Sequence, residues 1–156
     1  MKNKNIIIMM LLTVLVLAPT VLHAQTASEV DIILASDTVS AAKAAYFVLG
    51  AAGLMPSGQT GAEAERTAYN MASTNGWITA SSNDAVTMKD TAFLVMKAFD
   101  IKGGLMYTLL GNPRYAYREM VYLRLITGRT DQDMAVTGPG LLLILDKTLS
   151  YAGGDK

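Results

Sequence analysis

Three stretches of this chain share one order of apolar and polar positions. Thr38-Val39-Ser40, Ala85-Val86-Thr87 and Ala135-Val136-Thr137 each place a Val before a hydroxyl residue, and an apolar run follows each of them. Thr87 follows Ser40 by 47 residues, and Thr137 follows Thr87 by 50. A Ser or Thr in that place predicts a helix N-cap, its oxygen accepting a bond from a free backbone N–H of the first turn. Ala45, Val48, Leu49, Ala52 and Ala92, Val95, Met96, Phe99 then fall at i, i+3, i+4, i+7, which predicts one buried face on each helix. The third helix keeps Leu142, Leu145 and Leu149, with Asp146 where Met96 aligns. It opens on Gly138-Pro139-Gly140, where Pro suits the first turn and the glycines cost helix propensity.

A second helix precedes each later capped helix. One is predicted over 61–74, burying Ala64, Ala68, Met71 and Ala72 and stopped by Asn75-Gly76. The other is predicted from Pro113 to about Ile126, with Asn112 as cap, Ala116, Met120 and Leu123 buried and Gly128 as stop. Ala68-Tyr69 aligns with Ala116-Tyr117, and Trp77-Ile78-Thr79 with Leu125-Ile126-Thr127. The first unit has only a short leading element, Glu29 to Leu34. The expected fold is all-α: three helix–loop–helix repeats packed as one small bundle.

This order resembles the S-layer homology (SLH) family: a helix, a Gly-hydrophobic stop, a polar loop and a Thr-capped helix, three times over. The resemblance implies a pseudo-threefold helical bundle, and proteins that hold to cell-wall polymer. The family opens its second helix with Thr-Arg-Ala-Glu. Thr87-Met88-Lys89-Asp90 keeps the Thr and an acidic residue, whereas Ser40-Ala-Ala-Lys43 and Thr137-Gly-Pro-Gly140 keep only the cap.

The N-terminus has a different pattern. Met1-Lys-Asn-Lys-Asn5 is followed by an apolar run from Ile6 to Ala18, then Pro19, and Ala24 before Gln25. A basic start, an apolar centre and a small residue at the cut are the order of a secretory signal peptide. Pro19, Thr20 and His23 weaken the competing reading as a membrane anchor, since a span needs about 20 apolar residues. The expected organisation is a signal peptide over 1–24 and a helical repeat domain over 25–156. The mature protein is then periplasmic or secreted to the cell surface, touching a membrane only through the leader before cleavage.

Composition narrows the chemistry. The chain has no Cys and one His, His23, which lies in the leader. Ser-His-Asp and Cys-His catalysis therefore lack a base or a nucleophile, and zinc or copper lacks its usual ligands. No disulfide and no lipidated Cys are expected. The 13 basic and 13 acidic residues include Lys2 and Lys4, so the mature chain is slightly acidic. That balance argues against nucleic acid as a partner.

The densest chemical stretch is Arg114, Tyr115, Tyr117, Arg118, Glu119, Tyr122, Arg124 and Arg129. Arg114 and Arg118 are one helical turn apart and share a face; Tyr115 and Tyr122, seven apart, share another. Guanidinium forks bind phosphate, carboxylate or pyruvyl groups, and Tyr rings suit sugars. The competing reading is a solvated Arg face with Tyr bodies against the core. The candidate ligand- or partner-binding residues are Arg114, Tyr115, Arg118 and Arg124, with Thr87 and Asp90. Trp77, at a helix end, reads as core, and Asp131-Gln132-Asp133 as a solvated turn lacking the oxygens and Gly of a calcium loop. Glu63, Glu65 and Glu119 read as exposed, not as the placed carboxylate pair of a glycosidase. No catalytic residue, metal or cofactor is expected. The function expected is a non-catalytic structural or interaction module of the cell envelope, partnered by an envelope protein or, as an alternative, an anionic wall polymer.

Overall fold

The computed structural model describes residues 27–128 and 131–154. The signal-peptide expectation over 1–24 and Arg129 lie outside the described residues. Among those described, seven helices and no strand occur: α1 Ala27–Leu34, α2 Ala41–Ala51, α3 Gly61–Thr74, α4 Met88–Ala98, α5 Leu105–Leu110, α6 Pro113–Tyr122 and α7 Gly138–Gly154. The protein is all-α.

The three hydroxyl caps form as their positions predict. Ser40 Oγ accepts from the Lys43 N–H, Thr87 Oγ1 from Asp90 and Thr137 Oγ1 from Gly140. Ahead of each cap stands a fully buried Val, and the three valines bond to one another in a ring. The Val39 N–H donates to the Val136 carbonyl at 2.9 Å, Val136 to Val86 at 3.0 Å, and Val86 to Val39 at 2.9 Å. Buried backbone groups need such partners, because burial without one forfeits the bonds made to water.

The same loops satisfy the orphan donors of the helix starts. Ala41 donates to Asp84 and Ala42 to Ser82; Met88 donates to Met134 and Lys89 to Gln132; Gly138 donates to Ser36. Pro139, next in the third set, has no N–H to place, so the proline stands where no acceptor is required. The central helices α2, α4 and α7 meet one another, α3 lies along α2, α6 along α4, and short α1 touches α7. Ala64, Ala68 and Ala72, all fully buried, present a flat small-residue edge of α3 to the core.

Four chain reversals share one device. After α2, α3, α4 and α6, a residue at positive φ (Gly53, Gly76, Asp100 and Arg124) turns the chain. The next N–H then bonds back into the helix: Leu54 to Leu49, Trp77 to Ala72, Ile101 to Met96, and Leu125 to Met120. This is the Schellman closure. It ends α6 at Tyr122, four residues short of the Ile126 limit predicted, and turns Leu125 and Ile126 inward as buried residues.

In α7 the stripe is shifted from expectation. Leu141, Ile144, Leu145 and Thr148 are buried, whereas Leu142 is half-buried and Leu149 is 48% exposed. Gly138 explains the shift, since a Cβ there would overlap the Ile33 carbonyl oxygen. With Ile33 seated on Gly138, α1 fixes which side of α7 faces inward. Residue 138 is therefore glycine for reasons of packing.

Candidate functional site

Helix α6 begins at Asn112, whose Oδ1 accepts the Tyr115 N–H at 3.2 Å, and Pro113 fills the first helical position. Ala116 and Met120 face the core, so the helical period brings Arg114 and Arg118 to the exposed side. Among the described residues neither arginine forms a salt bridge. Tyr115 and Tyr117 are half-buried against the core, as the Tyr-body reading expects, but Tyr122 is 80% exposed.

Arg118 and Tyr115 come together. With Met106, Tyr107 and Glu119 they line a shallow hollow of about 350 Å³. A guanidinium, a carboxylate and two phenol rings around one hollow suit a polar or sugar-like group by ion pairing and ring stacking. Arg114 belongs to another neighbourhood. There the Lys89 hydrogen bond, then that of Gln132, and least of all the Arg114 charge hold the Asp133 carboxyl below its ordinary value of 3.8. Lys89 and Asp133 form an exposed ion pair that ties the first turn of α4 to the 131–133 turn. That carboxylate has a structural partner.

Thr87 and Asp90 do not line the hollow of Arg118 and Tyr115. Thr87 Oγ1 donates to Asp90 Oδ2 at 2.5 Å while accepting the Asp90 N–H at 3.3 Å. This reciprocal pair is a helix start built from a cap and an acidic third residue. Arg124 is separate as well. It occupies the left-handed turn after α6, at φ 61°, and does not share the Arg114–Arg118 helical face.

Glu63 is exposed as expected, but Glu65 and Glu119 are half-buried, and the Glu119 carboxylate lies beside Gly104. Glu29, in α1, accepts a hydrogen bond from Tyr46 Oη at 3.2 Å; burial first, and then this carboxylate, raise the Tyr46 pKa. Trp77 is half-buried and packs on the core. Among the described residues, no three His, Cys, Asp or Glu side chains group as a metal site.

Two features escape the sequence pattern. One is α5, an additional short helix. The other is an open groove of about 640 Å³ between α2, the 53–60 loop and α7, with Phe47, Met55, Leu142 and Leu145 among its walls and Asp146 at its side. The Asp at the position of Met96 is the one sequence signal of that groove, because α7 exposes there what α4 buries.

No protein-family model, curated protein or solved structure matches this chain.

Proposed function

We propose that the mature protein is a non-catalytic structural or interaction module of the cell envelope, built from three helix–loop–helix repeats. The ring of bonds among Val39, Val86 and Val136 supports the repeat. The first unit donates one backbone bond to the third, the third to the second, and the second to the first. Export rests on the leader over 1–24. The absence of His and Cys after residue 24 supports a role without nucleophilic or imidazole chemistry.

One observation carries the interaction reading: Arg114 and Arg118 stand exposed on α6 without a salt bridge among the described residues, beside half-buried tyrosines. An acidic partner face is the complement of such a surface. Arg114→Ala with Arg118→Ala is expected to abolish capture of envelope proteins from extract while helicity by circular dichroism stays unchanged. Equal capture by the double variant would leave these arginines as solvated surface.

The second reading is an SLH-like hold on an anionic wall polymer. The hollow shared by Arg118 and Tyr115 favours it, because a guanidinium next to a ring fits an acidic sugar. Retention on purified wall material stripped of protein separates the two readings.

A further inference from the structure

Helix α5 turns its apolar side away from the core. Leu105, Met106, Leu109 and Leu110 are 72, 57, 69 and 53% exposed. Positions 105, 106, 109 and 110 form one stripe, so these four side chains project from the same side of the helix. Tyr107, on the opposite side, is the buried residue of α5. Its ring meets Phe93 edge-on, with centroids 6.4 Å apart, and Lys97 Nζ lies 5.8 Å from its centroid. Gly103-Gly104 leads into the helix, and Gly111, at φ 50°, closes it. A clustered apolar face on a helix anchored from behind marks a contact surface.

Charge indicates what it contacts. From Thr91 to Arg129 the chain carries Lys97, Lys102, Arg114, Arg118, Arg124 and Arg129 against Asp100 and Glu119. Over residues 27–90 the balance is reversed, with three basic residues against seven acidic. The cations also lie close to the stripe. Arg118 shares its hollow with Met106, and Lys102, highly exposed and paired to Asp100, stands three residues before Leu105. Basic residues flanking an outward apolar stripe are the arrangement of a helix that lies in the plane of an anionic lipid surface. No helix among the described residues is long and apolar enough to cross a membrane.

We propose that α5 is a bilayer-surface contact: Leu105, Met106, Leu109 and Leu110 enter the boundary of the acyl chains, and Lys102 and Arg118 meet anionic headgroups. The burial depth of such helices is about 5–10 Å. This contact is additional to partner capture on α6. It needs no second protein, so the two stand or fall by different measurements.

The chain has no cysteine, which allows one label at a time. Leu109→Cys and, as a control on exposed α3, Ser73→Cys are each coupled to an environment-sensitive dye. Both are mixed with phosphatidylglycerol–phosphatidylcholine vesicles and with phosphatidylcholine vesicles. The label at 109 is expected to shift to the blue on the anionic vesicles only, and the shift to shrink with added salt as headgroup attraction is screened. The label at 73 is expected to stay in water. Adding Leu105→Ser to the 109-labelled chain should weaken vesicle affinity by about tenfold or more, the effect of withdrawing one buried leucine. A chain held to lipid only by residues 6–18 would leave the label at 109 in water, and that result overturns the proposal. So does an equal shift at 73, a shift that ignores lipid charge, or a lipid-free shift that grows with protein concentration, which would assign the stripe to a second copy.

Discussion

Thr91 stands four residues after its cap, as Ala44 and Leu141 do after theirs, and all three are fully buried. Ala, Thr and Leu at these places differ in volume, so equal spacing from the cap does not bring equal packing. Thr91 has a further property: its Oγ1 is buried with no hydrogen-bond partner among the described residues. A buried hydroxyl without a partner costs about 1–3 kcal/mol of desolvation. Thr91→Val keeps the shape and removes that cost, so it is expected to raise stability by roughly 1 kcal/mol in urea unfolding; a loss of stability would show that the hydroxyl is bonded in solution. Residue identity also limits what a sequence discloses. Gly76 announces its turn because glycine accepts positive φ without strain, whereas Arg124 adopts the same geometry with a side chain that gives no such signal. For that reason α6 reads four residues too long, and Arg124 reads as a helical residue although it occupies the turn.

At the scale of elements, legibility follows the direction of the apolar side. Helix α3 ends where its Ala ladder and Asn-Gly stop predict, and α2 and α4 start at their hydroxyl caps, because each buries a regular stripe. Helix α5 gives no signal of that kind. It is six residues long, bounded by glycines, and its apolar side faces out, so the rule that apolar positions mark the core has nothing to detect. In α7 the leucines are dense enough that two neighbouring stripes satisfy the same period. The choice between them is made by a tertiary contact, Ile33 on Gly138. Gly138→Ala is therefore expected to push α1 off α7 and lower stability by about 1–3 kcal/mol or more, the range for overpacking a closed contact. Gly153→Ala, with nothing near the added methyl, should be neutral to slightly stabilising and controls for helix propensity. If the two variants have the same denaturation midpoint, the Ile33 contact does not hold α1 in place.

For the whole molecule, the backbone ring sets how the parts depend on one another. Each of the three valine amides bonds to a carbonyl in a different segment, so the loss of any one unit breaks two of the three bonds. The helix pairs alone would permit otherwise, since α2 with α3 and α4 with α6 are the extensive contacts and α1 with α7 is slight. Paired helices of that kind can open separately when only local contacts hold them. The ring and the loop carbonyls bonded to neighbouring helix starts oppose such opening, because freeing α7 would strip Val39 of its acceptor and Val86 of its donor at the same time. Native-state hydrogen exchange measures which effect dominates. The amides of Val39, Val86 and Val136 are expected to exchange with one common free energy, equal to that of global unfolding and with the same denaturant dependence. Exchange at Val136 and Val39 markedly faster than at Val86 would show that α1 and α7 detach as a unit, and that the closure of the third segment onto the first is the weak joint of the fold.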